Sequence, residues 1–307
     1  MRFTIYQESR TGKRNDNQDR IAHCYSRDAL LMLVADGMGG HLHGELAAHI
    51  AARHVVQAFQ REARPALPDP GLFLSRALAG AHHAIVDDAL DRALPEAPRT
   101  TIVACVIQDG AAHWAHAGDS RLYLLRRGHV VTRTRDHSRT QLLVDQGILT
   151  PAEADSHPAR NRLYSCLGGS HAPQIEHSAR TPLRDGDIIA LCSDGVWGPA
   201  GDDALVSGLT GGPLSRCVPQ LLKQAELAAG SSADNLSIVA MCWHADNASQ
   251  ATMADAISTR TMALDDNTTR LDTSSMGADA SGELDNDDEI ERAIREINDT
   301  IKKLDKR

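Results

Sequence analysis

Leu30-Leu31-Met32-Leu33-Val34-Ala35-Asp36-Gly37-Met38-Gly39-Gly40 reads as a buried strand that runs into a carboxylate and then into glycine. Six apolar residues in a row leave no polar face, so the strand must be covered on both sides. An aspartate at the mouth of such a strand is costly to bury unless a cation neutralises it. The same arrangement recurs twice. Asp187 to Cys192 leads into Ser193-Asp194-Gly195, and Asp234-Asn235 opens the run Leu236 to Trp243. Three strand-end aspartates, none beside a lysine, predict a shared divalent ion. Their all-oxygen character predicts a hard cation, Mg²⁺ or Mn²⁺, rather than zinc.

Outward from these motifs, strands are predicted at Thr101 to Gln108, Ala111 to Ala117, Arg121 to Leu125, His129 to Thr132 and Ile175 to Ser178. Short turns such as Asp109-Gly110 favour antiparallel pairing. Helical periodicity marks Gly44 to Gln60, Pro70 to Leu94, Ser138 to Gln146 and Pro213 to Ala229. Clustered strands with helices to either side predict an α+β fold of stacked antiparallel sheets with helices outside. A parallel sheet would instead show regular βαβ alternation.

The chain has 307 residues, enough to bury a sizeable core, and a formal charge of -9. That balance excludes the concentrated basic face a nucleic-acid binder needs. Six cysteines (24, 105, 166, 192, 217, 242) form no CxxC pair and sit mostly in apolar runs, as reduced, buried thiols do. No segment approaches membrane-spanning length and the N-terminus has no apolar signal core, so a cytoplasmic location without membrane contact is expected.

Composition changes near residue 245. Residues 245 to 307 hold 15 acids and 8 bases, so most of the negative charge belongs to the tail. Residues 245–286 read as a flexible acidic linker with too little apolar area to offset its ordering entropy. Within it, Thr261, Thr268 and Thr269 are candidate phosphorylation sites, set against an inert linker. Residues 287–305 read as an amphipathic helix. Ile290, Ile294, Ile297, Ile301 and Leu304 form its seam, which could dock on the body or bind a partner.

The motifs also stand in a recognisable order. Gly12-Lys13-Arg14-Asn15-Asp16-Asn17-Gln18-Asp19 precedes Asp36-Gly37-Met38-Gly39-Gly40-His41, then come Thr100-Thr101, Gly118-Asp119-Ser120-Arg121, Asp136-His137-Ser138, Leu167-Gly168, Ser193-Asp194-Gly195 and Asp234-Asn235-Leu236-Ser237. Over residues 1–244 the set resembles the metal-dependent protein phosphatases (the PPM, or type 2C, family) in compact bacterial form. The resemblance implies a four-layer αββα sandwich with a metal site at one edge, and a mobile flap over about residues 133–170. It implies a Ser/Thr protein phosphatase in which a water bridging two Mn²⁺ or Mg²⁺ ions attacks the phosphate directly, without a phosphoenzyme. By resemblance, Asp36 bridges both ions, the Gly37 carbonyl ligates one, and Asp194 and Asp234 complete the other. Asp19 and Asn235 stand in the outer shell, and Arg14 anchors the phosphate through its planar fork. The implied partners are phosphorylated proteins, with the enzyme opposing a Ser/Thr kinase.

Three departures qualify the resemblance. Asp119 helps hold a third, weaker ion in the family, often with an acid four residues after the Ser-Asp-Gly aspartate, where this chain has Gly198. Met38 stands where many eukaryotic relatives carry a histidine that protonates the leaving alkoxide, which leaves a metal-bound water or His41 for that step. Gln18 replaces an outer-shell glutamate and removes one charge. His82 and His83 lack zinc-helix spacing and read as ordinary helix residues. Two rival readings remain in view: a non-catalytic phosphoprotein-binding module, and hydrolysis of small phosphate esters.

Overall fold

The computed structural model describes residues 1–38, 43–155, 157–160, 162–245 and 268–270. In chain order these form β1 (Arg2–Arg10), β2 (Asp19–Tyr25), β3 (Ala29–Met38), α1 (Gly44–Glu62), α2 (Pro70–Asp91), β4 (Arg99–Thr100), β5 (Ile102–Gln108), β6 (Ala111–Ala117), β7 (Arg121–Arg126) and β8 (His129–Arg133). Then come α3 (Arg139–Asp145), α4 (Pro151–Asp155), β9 (Leu167–Gly168), β10 (Glu176–His177), β11 (Thr181–Pro182), β12 (Ile188–Cys192), α5 (Asp194–Thr210), α6 (Leu214–Ala229), β13 (Leu236–His244) and β14 (Thr268–Arg270). All of them lie in one unit, Met1–Thr273. Ser274–Arg307, which includes the predicted terminal helix, falls outside the described residues.

Two sheets form the centre. One runs β1-β13-β12-β7-β8, the other β10-β6-β5-β3-β2-β14, with β11 beside β6 and the short β4 and β9 beyond the end of β3. Neighbours pair antiparallel throughout, except that β14 lies parallel to β2. Between the sheets, Met32, Val34, Val103 and Cys105 meet Leu122, Leu124, Ile189, Leu191, Val239 and Met241. On the outer face of the second sheet, Leu31, Leu33 and Ala35 pack under α1 and α2 through Ala47, Ala51, Val55, Phe59, Leu74 and Leu78. On the outer face of the first, Tyr123, Ala190 and Ile238 pack under α5 and α6 through Leu205, Leu209, Val218 and Leu222. The order of layers is therefore α, β, β, α, as expected. It also explains why β3 has no polar face: its even and odd residues serve two different cores.

The long strands β1 and β2 and the long helix α5 are not marked by the sequence pattern. β1 and β2 carry Glu8, Arg10, Arg20 and His23 in alternation with apolar residues, and the polar neighbours dilute the strand pattern. α5 contains Gly195, Gly198, Pro199 and Gly201, which read as a loop. The helix bends at Gly201 (φ 72°, ψ 163°). The run Ile175 to Ser178 yields only Glu176 and His177 as strand. In the predicted linker, Thr268–Arg270 forms β14, opposite Ile21 to His23. The remainder of that linker, including Thr261, lies outside the described residues.

The segment that the resemblance marks as a flap follows β8. Ser138 caps α3 by accepting the Gln141 N–H, and the segment closes through Arg139 N–H to Arg162 O and Tyr164 N–H to His137 O, both 2.9 Å. Its root is braced from the body, where Arg121 of β7 forks onto Asp136 with two 2.8 Å bonds. Both side chains are 9% exposed. Removing one partner of such a pair strands the other's charge in low dielectric. Asp136→Ala is expected to cost about 3 kcal/mol in urea unfolding, and adding Arg121→Met to it should recover part of that loss.

Candidate functional site

Strand register brings the aspartates together. Asp19 opens β2 and lies directly opposite Asp36 near the end of β3. In the other sheet β12 and β13 are antiparallel neighbours, Cys192 opposite Ile238, so Asp194 after β12 and Asp234 before β13 leave by the same edge. Asp119 precedes β7, whose Arg121 is opposite Cys192, and so reaches that edge too. Five carboxylates from both sheets therefore meet at one end of the sandwich, although in sequence they span more than two hundred residues.

Their crowding shows in their proton affinities. Burial, then the charges of Asp19, Asp194, Asp119 and Asp234, push Asp36 well above the usual carboxylate range. Burial and Asp194 do the same to Asp119. Asp194 is raised by burial and Asp234. A hydrogen bond from Asp36, the Gly195 N–H and Arg14 hold it back. Asp19 is raised to about 6 by burial, against the pull of the Ser237 and Ser193 hydroxyls. Its Oδ2 accepts Ser193 Oγ–H at 2.8 Å, while its buried Oδ1 accepts no hydrogen bond from the protein. An unpartnered buried carboxylate oxygen in an all-oxygen, proton-hungry cluster fits a hard divalent cation.

The backbone around the cluster is fixed by its own bonds. Thr100 Oγ1–H and Thr101 N–H both reach Asp36 O, at 2.9 and 2.8 Å, and Asp36 N–H returns to Thr101 Oγ1. Asn235 donates to Thr11 O and Asp16 O at 2.9 Å each and accepts Gln18 N–H at 2.8 Å. It thereby ties the Arg14 loop to the start of β13. Gly37 is required by close approach: a Cβ there would stand 2.3 Å from the Gly44 backbone and 2.8 Å from Gln18 O. The neighbour that excludes a side chain is thus the start of α1, a contact the sequence does not reveal.

Arg14 lies beside the cluster and forks onto Asp234, Nε to Oδ1 at 2.8 Å and Nη2 to Oδ2 at 2.7 Å. The arginine side chain is 60% exposed, so the pair is weakly held and can exchange for another anion. Gly198 faces open space. Beside it, Trp197 donates its indole N–H to Asp119 O at 2.9 Å, and the Arg121 guanidinium lies 3.4 Å from the Trp197 ring centroid. Trp197 was not singled out from sequence, because an aromatic in a glycine- and proline-rich run carries no periodic signal. His82 lies on α2, as expected, and its Nδ1 accepts the Gly168 N–H at 3.1 Å, which joins α2 to β9. Gly39, Gly40 and His41 lie outside the described residues.

The comparisons with known proteins point to one family. The family model described as Protein phosphatase 2C matches residues 7–228. The serine/threonine protein phosphatase PstP of Mycobacterium tuberculosis is 32% identical over 228 residues, 74% of this chain and 42% of the relative. This chain thus spans less than half of that protein's length. Protein phosphatase PhpP of Streptococcus pneumoniae is 30% identical over 234 residues, 75% of this chain and 93% of the relative. A solved catalytic domain of the serine/threonine protein phosphatase PstP, in complex with two manganese ions, superposes with a TM-score of 0.65 at 27% identity. It covers 78% of this chain and 99% of its own.

The raised Asp19 gives a pH test of the cluster. Without metal, folded Asp19 holds its proton up to about pH 6, whereas the unfolded chain releases it near 3.8. Stability is therefore lost as pH rises between those values and stays lost above them. Asp19→Asn should stabilise the chelator-treated protein by on the order of 2–3 kcal/mol at pH 7.5. In denaturant titrations the gain should vanish near pH 4.

Proposed function

The chain belongs to the protein phosphatase 2C family, and on that footing we propose that it hydrolyses phosphoserine and phosphothreonine in proteins at a binuclear Mn²⁺ or Mg²⁺ centre. The observation that carries this reading is the meeting of Asp19, Asp36, Asp119, Asp194 and Asp234 at one sandwich edge with Arg14 alongside. Asp36 would bridge the two ions, with the Gly37 carbonyl on one and Asp194 and Asp234 on the other. Asp19 and Asn235 would orient the outer shell, and any third ion would rest on Asp119 and Asp194 alone. When bound, the ions would supply an activated water as nucleophile and would neutralise charge on the phosphoryl oxygens.

The protein's own residues bind and orient. Arg14 exchanges its exposed bond to Asp234 for two phosphoryl oxygens, a bidentate grip that lysine cannot reproduce. Thr100 and Thr101 hold the Asp36 backbone, and Asn235 holds the Arg14 loop, so that nucleophile and phosphate meet in line. Met38 at the end of β3 carries no transferable proton, so the leaving oxygen takes its proton from water or from His41. The flap, with Leu142, Ile148 and Tyr164 exposed, offers a surface on which a phosphoprotein can rest. A kinase of Ser/Thr specificity must supply such a substrate. Six cysteines in no disulfide suit a reducing, cytoplasmic setting, and no described helix is long and apolar enough to cross a membrane.

The test is Mn²⁺-dependent phosphate release from a phosphothreonine protein and from an aryl phosphate. Asp36→Asn and Asp194→Asn should each lower turnover by more than the roughly 10–100-fold typical of outer-shell changes. Arg14→Ala should lower kcat/KM by about 10² with metal affinity little changed. A wild type that binds the phosphoprotein without releasing phosphate would favour a binding module. Cleavage of the aryl phosphate alone would move the substrate to small esters.

A further inference from the structure

Three other side chains gather at the root of the flap: His116 on β6, His137 just before α3 and Glu176 on β10. One nitrogen from each ring and a Glu176 carboxylate oxygen lie within 4.8 Å of one another, the one His/Cys/Asp/Glu trio so placed among the described residues. None of the strand-end aspartates belongs to it.

The hydrogen bonds fix the tautomer of each ring. His116 Nε2 stands 2.7 Å from Arg135 O. A carbonyl only accepts, so Nε2 carries the proton and Nδ1 keeps a lone pair. That Nδ1 is fully buried and has no partner, an arrangement that costs stability unless something occupies it. The ring stands 4.6 Å from that of His137, centroid to centroid. His137 Nδ1 accepts the Gly118 N–H at 3.3 Å, so Nε2 carries the proton and faces Glu176 Oε2 at 3.4 Å. That distance is too long for a good hydrogen bond. It is close to the edge of a tetrahedron with metal–ligand bonds of about 2.0–2.1 Å. Burial lowers the proton affinity of both rings and keeps them in the neutral form that ligates metals.

We propose that His116 Nδ1, His137 Nε2 and Glu176 form a separate Zn²⁺ site at the flap root, with water in the fourth position. Two imidazoles and one carboxylate favour a borderline ion over Mg²⁺ or Mn²⁺, the reverse of the preference of the aspartate cluster. The Arg135 carbonyl is the outer partner that sets the His116 tautomer. On binding, Zn²⁺ takes the Nε2 position of His137, the proton from Nε2 is taken up at Nδ1, and the Gly118 N–H bond to Nδ1 is released. Gly118 adjoins Asp119, so an ion at the flap root bears on the backbone beside the aspartate cluster.

The test uses full-length protein already saturated with Mn²⁺ and titrated with Co²⁺ as a spectroscopic substitute for zinc. Tetrahedral nitrogen-and-oxygen coordination gives visible absorption far more intense than an octahedral all-oxygen site. The wild type should gain one equivalent of this band and lose it on adding one equivalent of Zn²⁺. Glu176→Gln, at a partly exposed position, should weaken Co²⁺ binding at least about tenfold while Mn²⁺-dependent phosphate release stays unchanged. His116→Gln should do the same, and circular dichroism reports whether that buried variant folds. If it does not, Glu176→Gln carries the test alone. No band in the wild type, or a band undiminished in Glu176→Gln, would overturn the proposal.

Discussion

Mutual repulsion among five clustered carboxylates, of which Asp19 and Asp119 are buried, is the constraint around which this structure is organised. Asp19, Asp36, Asp119 and Asp194 are all held above the usual carboxylate range, with burial the first cause and their neighbours' charges next. A chain free to relax would separate them. The sandwich does not allow it, because each aspartate sits at or next to the end of a strand whose length lies in a close-packed core. Moving one outward would shift the register of a whole strand and turn its apolar residues to the wrong face. Rigidity of the sheets thus converts core burial into concentrated negative potential at one edge, the form of site that attracts hard cations.

Around that edge the supporting bonds run mostly through backbone and neutral side chains. Asn235, Thr100, Thr101 and Ser193 position carboxylates and loops without adding charge. The compensating cations are few. Arg14 reaches the cluster from the solvent side, while Arg121 is committed to Asp136 and to the face of Trp197. A net negative charge is therefore left for an ion to neutralise. Arg14 stays exposed enough to turn toward a phosphate, and Arg121 braces the flap root instead of entering the chemistry.

The flap root is also where histidines accumulate. The rings of His116, His137 and Tyr164 neighbour one another in turn, 4.6 and 5.3 Å between centroids. Main-chain groups of Arg135 and Gly118 set the tautomers of the two imidazoles. The segment is thus joined to the body by directional polar contacts. Such contacts have discrete alternatives, which makes the junction a natural place for a ligand to act on it.

Much of the site was legible because its chemistry is written in short motifs. Asp36, Asp194 and Asp234 stand beside long apolar runs, and a carboxylate in that position needs a reason that local sequence alone can raise. The layered α+β class was legible for the same cause, since apolar runs of strand length and 3.6-residue periodicity are properties of neighbours in the chain. β1, β2 and α5 were not legible, because alternation interrupted by charge and a helix bearing Gly201 depend on what they pack against. Nor could the sequence foresee that Gly37 is held glycine by the backbone of Gly44, that Trp197 backs Arg121, or that His116, His137 and Glu176 converge. The sequence by itself determined residue chemistry and local period; only the tertiary structure decided which distant groups share one low-dielectric space, because strand register and the stacking of sheets depend on every strand at once.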